Sequence, residues 1–394
     1  MTKIFLSEFS GRLIRNILHE KGFIKVYVWI MNQQQQKTSE IWVTNRNLVK
    51  LQARPENLYF QKSYDFMQEW MDGKEEFKLR TSGSTGTPKT IAITREQLAS
   101  SAAMTGQALG LGKGTRALVC LNVEYVAGLM MLVRGMELDW ELLIVEPSAN
   151  PLLGFDQDAQ FDFAAMVPMQ LTSCLADPET AGQVKNLGKI LLGGAPLSVS
   201  LRRQINDLKI PVFQSYGMTE TVSHVALRKL NEVGENYKLL PGVEIGVDER
   251  GCLFVSGPMT NGEKIQTNDL VKMISQTEFV WLGRFDNVIN SGGVKIILDR
   301  VDEQIAQVFY DMNCDNLFFS WFQEDEKLGQ KLILIVQRSE QHFPEKAVIE
   351  EIRKRLSTYE VPKHVYLADP FVKTETDKID KRQTALMLLK KING

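Results

Sequence analysis

A nine-residue stretch rich in hydroxyl side chains and glycine constrains most strongly what this chain folds into and binds. Its residues are Thr81-Ser82-Gly83-Ser84-Thr85-Gly86-Thr87-Pro88-Lys89. Glycine lets a backbone reach positive φ and approach a ligand closely, so successive N–H groups converge on an anion. The hydroxyl groups add hydrogen-bond donors, and lysine adds a mobile positive charge. The stretch therefore predicts a loop that binds a polyphosphate.

Two other interpretations of this stretch are a flexible Ser/Gly linker and a Walker A loop. Residues 90–93 follow directly and read as a strand, which argues against a linker. The Walker A pattern, counted from Gly83, finds Lys89 and Thr90 in register but requires a second glycine where Pro88 stands. Because proline has no N–H and a fixed φ, we expect this loop to bind phosphate by another arrangement.

The bulk composition is that of a soluble globular protein. The chain has 394 residues, enough for two or three domains, with 44% apolar and 24% charged residues. A net charge of −2 gives no electrostatic reason to expect nucleic acid or an anionic membrane as a partner. The longest apolar run, residues 126–133, is too short for membrane insertion. Four scattered cysteines predict a reducing cytoplasmic location without disulfides or a zinc site.

The first 30 residues allow two interpretations. They lack the apolar core and cleavage site of a signal peptide. Met31 precedes a run of glutamines, so residues 1–30 are either an extension upstream of the true start or a genuine N-terminal helix and strand. The sequence leaves both open, and it also leaves homo-oligomerisation open.

Strands that alternate with helices predict a layered α/β domain with a mainly parallel sheet. A capping box at Thr94 and Gln97 predicts a helix that extends to about Leu109. Further helices are expected at 63–71 and 125–138. The predicted strands are 90–93, 116–121, 142–145, 163–167, 190–192 and 211–214.

The pattern changes twice in the second half of the chain. From about residue 239, short strands at 242–245, 252–255, 270–274 and 279–282 predict an antiparallel β subdomain. Beyond Asp286 we expect a small α+β unit. Its predicted elements are a helix at 299–310, strands at 316–322 and 331–337, a helix at 345–357 and a polar tail. The expected domains are a large one, 1–284, and a small mobile one, 285–394.

Two further stretches follow predicted strands and carry candidate binding groups. The turn Gly193-Gly194-Ala195-Pro196 lets a flat ring approach the backbone, although a plain strand-ending turn explains it equally well. The second stretch offers a tyrosine face for a base, a threonine donor for phosphate and a carboxylate ligand for Mg²⁺. Its residues are Ser215-Tyr216-Gly217-Met218-Thr219-Glu220; alone, they could be a loop that leads into a helix.

Three more stretches indicate a function only when they are taken together with those described above. Asp269 offers a carboxylate to ribose hydroxyls, although an aspartate is more often a turn former. The glycine-rich residues 282–296 fit either a hinge or a plain interdomain turn. Residues 373–380, which contain Lys378, read in isolation as a solvated charge run.

In this order and spacing, the stretches resemble the AMP-forming adenylate synthetases, which include acyl- and aryl-CoA ligases, luciferases and nonribosomal-peptide adenylation domains. The resemblance covers about residues 77–388. It implies that residues 81–89 hold the β- and γ-phosphates of ATP. It also implies that adenine is framed by Gly193, Gly194, Ala195, Ser215 and Tyr216.

The resemblance assigns the remaining groups as well. Thr219 would contact the α-phosphate, Glu220 would help hold Mg²⁺, and Asp269 and Arg284 would bind ribose. A second set would act as the small domain moves: Asp286 as the hinge, Lys378 as the bridge between the acid's carboxylate and the α-phosphate, and Ser291, Gly292 and Gly293 along the path of coenzyme A.

The implied reaction joins a small carboxylic acid to coenzyme A through an acyl-adenylate. Because two anions must meet, positioning and positive charge from Mg²⁺ and Lys378 would dominate. Three positions depart from the family pattern. Asp377 replaces the glycine before the lysine, Asn268 replaces a glycine before Asp269, and Glu124-Tyr125 replaces an aromatic–histidine pair, so the gating role of that histidine is in doubt.

Within this superfamily, the short segment before residue 81 and the residues after Glu220 are similar to bacterial o-succinylbenzoate–CoA ligases of menaquinone biosynthesis. Tyr125, Ser223 and His224 are then candidates for the acid pocket, and a structural role for His224 is the other interpretation. Two further functions remain open: loading of a carrier-protein thiol, and nucleotide sensing by a protein that has lost the chemistry.

Overall fold

The computed structural model describes residues 40–80, 90–340, 342–374 and 379–393. The α-helices are α1 (Leu58–Met71), α2 (Arg95–Leu109), α3 (Val126–Leu138), α4 (Pro168–Ala176), α5 (Val199–Asp207), α6 (Leu298–Asp311), α7 (Glu345–Arg355) and α8 (Lys381–Asn393). Short 3-10 helices are Leu48–Lys50, Ala181–Leu187, Thr219–Thr221, Pro258–Thr260 and Phe285–Asn287. None of the helices in these ranges is long and apolar enough to cross a membrane.

The strands of the first half are β1 (Ile41–Thr44), β2 (Glu76–Arg80), β3 (Thr90–Thr94), β4 (Arg116–Val119), β5 (Glu141–Val145), β6 (Phe163–Met166), β7 (Lys189–Leu192), β8 (Val212–Gly217) and β9 (His224–Lys229). Those of the second half are β10 (Asn236–Leu239), β11 (Glu244–Val247), β12 (Cys252–Ser256), β13 (Ile265–Met273), β14 (Glu278–Arg284), β15 (Val288–Ser291), β16 (Val294–Ile297), β17 (Phe318–Asp325), β18 (Gly329–Gln337) and β19 (His364–Ala368).

One large mixed sheet organises the described residues up to 284, namely 40–80 and 90–284. Its order is β1-β5-β4-β6-β7-β8-β9-β10-β14-β13-β12-β11. Strands β5, β4, β6, β7 and β8 are parallel, and β9 then pairs antiparallel with β8. The α/β prediction is confirmed. The antiparallel strands continue this sheet, because β9 adds directly to the edge of the parallel part.

Both faces of the parallel strands are buried. In β4, Ala117 and Val119 point into one apolar cluster, whereas Leu118 between them belongs to the cluster on the other face. This explains why these strands read as continuous apolar runs in the sequence.

Local signals fix two helix starts. At α2 the predicted capping box forms: the Gln97 N–H donates to Thr94 Oγ1 at 3.2 Å, and the Thr94 N–H donates to Gln97 Oε1 at 3.0 Å. Helix α1 begins five residues earlier than expected. Its cap is Asn57, whose side-chain oxygen accepts from the Tyr59 N–H at 2.8 Å.

A smaller sheet, β16-β15-β18-β17 with β19 parallel to β18, forms after residue 287. Helices α6 and α7 contribute to the cluster on one face of β18, and α8 contributes to the cluster on the other. The predicted polar tail after α7 is therefore wrong. The charged residues of this segment hid an edge strand and the apolar positions of α8, such as Ala385 and Leu389.

Ion pairs connect the two parts of the chain. Arg202 of α5 pairs with Glu303 of α6 at 2.8 Å, and Arg300 of α6 pairs with Glu235 at 3.1 Å. All four side chains are partly exposed, so each pair contributes little on its own. The domain boundary at 284/285 stays a prediction.

The first residue of α8 supplies a test of how the C-terminal segment is held. Lys381 Nζ lies 2.7 Å from Asp302 Oδ2, and the Ser320 N–H donates to Asp302 Oδ1 at 2.6 Å. We expect Lys381→Met to lower the free energy of unfolding by about 2 kcal/mol, since it leaves a mostly buried carboxylate without its counter-charge. Urea unfolding measures this. Lys381→Arg should retain most of the stability, and the exposed Lys390→Met is the control; an equal loss at both lysines would contradict the assignment.

Candidate functional site

The carboxyl ends of β7 and β8 bring two of the predicted stretches together. The strands pair in parallel, with Leu192 beside Gln214, so the residues that follow them meet at one edge of the sheet. A Cβ added to Gly193 would lie 2.6 Å from Ser215 Oγ, and Ser215 Oγ itself donates to the Leu192 carbonyl at 3.0 Å. A side chain at position 193 would therefore force Ser215 Oγ to move. Gly194, with φ of 83°, and Ala195 are exposed beside it.

Strand β8 extends further than expected and includes Ser215 and Tyr216. The Tyr216 hydroxyl donates to Asp269 Oδ2 at 2.7 Å, and Trp281 Nε1 donates to Asp269 Oδ1 at 3.2 Å. Asp269 faces Arg284 across the β13–β14 pair. Tertiary structure thus gathers Tyr216, Asp269 and Arg284, which lie far apart in sequence.

Burial keeps the hydroxyl of Tyr216 protonated. Burial first, and then the Asp269 charge, raise the pKa of Tyr216 far above its ordinary value, so the hydroxyl stays a donor. The Tyr216 ring contacts Phe279 edge-on, with centroids 5.2 Å apart. Each Asp269 oxygen retains a free lone pair, so the carboxylate can still accept from a ligand hydroxyl.

Gln214 is a candidate that the sequence analysis missed. Its side-chain Oε1 is buried and has no hydrogen-bond partner among the described residues. An unpaired buried amide oxygen is unfavourable unless a ligand satisfies it. Its position beside Ser215, at the end of two parallel strands, was the available signal. Trp281, the second donor to Asp269, was missed as well.

Thr219 and Glu220 lie in the short 3-10 helix that follows β8. The Glu220 side chain is exposed, and Thr219 is half-buried. Mg²⁺ in nucleotide sites takes one or two protein carboxylates and completes its shell with phosphate oxygens and water. Glu220 fits that requirement. In the part of the chain that the structure describes, no group of three or more His, Cys, Asp or Glu side chains could hold a metal alone.

A buried polar chain includes Ser223, which follows Glu220 by three residues in the sequence. Arg134 Nη2 donates to Ser223 Oγ at 3.1 Å, Ser223 Oγ lies 3.3 Å from His224 Nδ1, and His224 Nε2 lies 3.2 Å from Thr105 Oγ1. Thr105 in turn donates to the Ser101 carbonyl at 3.0 Å. Arg134, on α3, is the main residue of this chain that the sequence did not reveal, because it interrupts an apolar helix without any motif around it.

The tautomer of His224 sets the direction of its two contacts. With the hydrogen on Nε2, Nε2 donates to Thr105 Oγ1 while Thr105 donates to the Ser101 carbonyl, and Nδ1 accepts from Ser223. Ser223 itself accepts from Arg134. Burial first, and then the Arg134 charge, lower the pKa of His224 well below 6.5. His224 is therefore a neutral, fully bonded side chain, which favours the structural interpretation.

Arg134 carries a charge that no described carboxylate balances. Its side chain is 2% exposed, Nε has no hydrogen-bond partner, and Nη1 reaches only the Met131 sulfur at 3.7 Å. Burial lowers the pKa of the guanidinium to about 9, so it stays charged at neutral pH.

The other predicted residues are dispersed around this centre. Asp286 is exposed and accepts from Arg284 Nη2 at 3.1 Å. Gly292 and Gly293, both at positive φ, form the two-residue turn of the β15–β16 hairpin, which explains these glycines without a ligand. Tyr125 precedes α3 and is 56% exposed. Residues 1–30, the phosphate loop 81–89, Asp377 and Lys378 lie outside the described residues.

Comparison with known proteins bears on the family to which this chain belongs. The AMP-binding enzyme family matches residues 79–263. A structure from Dyadobacter fermentans, described as an acyl-CoA synthetase (AMP-forming)/AMP-acid ligase II-like protein, is 60% identical; it covers 88% of this chain and 99% of its own, with a TM-score of 0.63. The chain belongs to the AMP-binding enzyme family.

More distant members of the AMP-binding enzyme family share the fold. The 2-succinylbenzoate–CoA ligase of Staphylococcus aureus is 25% identical over 77% of this chain, and the match spans 65% of that protein, less than two thirds of its length. The o-succinylbenzoate CoA synthetase of Bacillus subtilis, solved with its acyl-adenylate intermediate, is 23% identical, covers 78% of this chain and 68% of its own, and has a TM-score of 0.66.

The lowered pKa of His224 predicts how stability depends on pH. The unfolded chain takes up a proton near pH 6.5 whereas the native state does not, so stability is present above that pH and falls below it. We expect a loss of up to about 1.4 kcal/mol per pH unit between about pH 6.5 and 5. Urea unfolding at several pH values measures it. His224→Gln should show a shallower dependence, and parallel curves for both proteins would rule the assignment out.

Proposed function

We propose that this protein is an AMP-forming acid–CoA ligase whose acid carries a second anionic group, with o-succinylbenzoate as the leading candidate. The family and the names of its relatives support an acid–CoA ligase. The observation that carries the finer assignment is the buried charge of Arg134. Its guanidinium donates to Ser223, and Ser223 follows Glu220 by three residues in the sequence.

Electrostatics give the reason. A buried guanidinium without a counter-charge costs several kcal/mol, and a carboxylate placed against it removes much of that cost. Nε of Arg134 is buried without a hydrogen-bond partner, and a guanidinium offers a carboxylate two parallel N–H donors. In this proposal Ser223 lines the acid pocket together with Arg134. His224 holds Ser223 in place through the contact between Nδ1 and Ser223 Oγ. Tyr125, which is exposed, would lie at the entrance.

The proposed reaction has two steps. An oxygen of the acid attacks the α-phosphorus of ATP, the bond to pyrophosphate breaks, and an acyl-adenylate forms. The thiol of coenzyme A then attacks the acyl carbon, loses its proton and displaces AMP. Mg²⁺ held by Glu220 would neutralise phosphate charge.

This chain's own groups divide the remaining work. Gly193, Gly194, Ala195 and Gln214 would frame adenine, while Asp269 and Arg284 bind ribose. Tyr216 orients Asp269 through the bond between their side chains. Thr219, residues 81–89 and Lys378 would hold the phosphates. Asp286 would be the hinge. Rotation about it would withdraw Lys378 from the site after the first step and bring Ser291, Gly292 and Gly293 to the site for the second.

A second candidate keeps the first step and changes the second. The adenylate would be delivered to the thiol of a carrier protein. Both functions predict pyrophosphate release from ATP and the acid without any thiol. Only the acid–CoA ligase predicts turnover of free coenzyme A.

An acid panel tests the proposed substrate. With ATP and Mg²⁺, we expect o-succinylbenzoate to give a kcat/KM about 100-fold above that of 3-benzoylpropionate, which lacks the ring carboxylate; an ion pair of about 3 kcal/mol sets this ratio. Arg134→Met should bring the ratio close to one, and Arg134→Lys should preserve part of it. Pyrophosphate release reports every rate. An unchanged ratio in Arg134→Met would exclude Arg134 as the anion's partner.

Separate assays of the two steps test Lys378. We expect Lys378→Ala to lose adenylation by about 10³-fold, because it removes the positive charge between two anions. Conversion of supplied acyl-adenylate to the thioester should change less than threefold or so. Lys373→Ala, in the same charged stretch, is the control. Equal losses in both steps would contradict a role for Lys378 in the first step alone.

A further inference from the structure

The turn that follows Glu220 contains a strained residue. Val222 has φ of 65° and ψ of −57°, a region that β-branched residues almost never occupy. The Ser223 N–H donates to the Thr221 carbonyl at 2.7 Å, so residues 221–223 form the rare γ-turn with positive φ. Such strain persists only where the surrounding structure over-determines it.

Two neighbours hold this turn in place. Thr221 is fully buried; its Oγ1 lies 2.9 Å from the Ser223 carbonyl oxygen and 3.0 Å from that of Met218, and it accepts from the Met218 N–H at 3.1 Å. Gly217 lets the chain fold back on itself, since a Cβ there would clash with the Ser223 carbonyl. The Val222 side chain is itself buried in the core, with 1% exposed.

The strained turn lies between the two halves of the proposed site. Before it lie the half-buried Thr219 and the exposed Glu220, the residues proposed for the α-phosphate and Mg²⁺. After it, Ser223 and His224 enter the buried chain that begins at Arg134. An extended or helical residue at 222 would point these two halves in other directions.

We propose that Val222 is a positioning residue: its γ-turn sets the acid-binding side of the site against the phosphate-binding side. The positioning role rests on the proposed function, whereas the strain itself does not. A residue that only filled the core would matter through its volume, and its backbone conformation would be incidental.

Stability tests the strain. Glycine adopts positive φ without penalty, so Val222→Gly should melt at or above the temperature of Val222→Ala. Val225, a buried residue of β9 without positive φ, is the matched control. There the ordinary order should hold, with Val225→Gly below Val225→Ala. If glycine lies below alanine by the same interval at both positions, the strain assignment is overturned.

Activity tests the positioning. We expect the kcat of adenylation to fall about tenfold or more in Val222→Gly relative to Val222→Ala, because a flexible joint loses the alignment of the two halves. AMP binding, measured by calorimetry, should be equal in both, since Gly193, Gln214 and Asp269 lie on or beside β7, β8 and β13 and outside the turn. Val222→Gly would thus be at least as stable as Val222→Ala but less active. A residue that only filled the core would not produce this order.

The outcomes separate the two proposals. Wild-type turnover with equal kcat in Val222→Gly and Val222→Ala overturns the positioning role and leaves the proposed function standing. No wild-type pyrophosphate release with any acid overturns the proposed function and, with it, the positioning role. The melting order reports on the strain in either case.

Discussion

The pairing of β8 with β7 on one side and β9 on the other holds the candidate site together. The parallel β7–β8 pair brings the small residues 193–195 against Ser215, and the antiparallel β8–β9 pair brings Gly217 against His224. Gly193, Ser215, Tyr216, Glu220 and His224 lie on or just after these strands. A shift of one residue in β8 would therefore turn Tyr216 away from Asp269. The backbone hydrogen bonds of three strands therefore set the geometry on which the side chains depend.

A buried cation, Arg134, lies at one end of a polar chain in the mainly apolar interior. Arg134 starts a run of hydrogen bonds that passes through Ser223 and His224 to Thr105. A chain of this kind is costly if any member is unpaired, so it specifies one arrangement of the core. The guanidinium is the exception, since nothing described balances its charge. In the proposed function, Arg134 therefore affects both the stability of the core and the recognition of the acid.

The strained turn at Val222 belongs to the same arrangement. It is the one place between Glu220 and His224 where the chain departs from ordinary backbone geometry. Strain at such a position lowers stability and fixes direction, and proteins tolerate it where function needs a defined geometry. The buried Thr221 and the absent side chain of Gly217 explain how the fold maintains it.

The sequence by itself determined the fold class, the capping box of α2 and the series of short stretches that marks the family, because these depend on local chemistry and order along the chain. It did not predict β19 and α8, whose apolar residues are masked by neighbouring charges. Only tertiary structure decided that Arg134 meets Ser223, that Tyr216 meets Asp269, and that Gln214 is left unpaired. The first two contacts join residues that lie 89 and 53 positions apart in the sequence. Periodicity carries no information about which strands become neighbours.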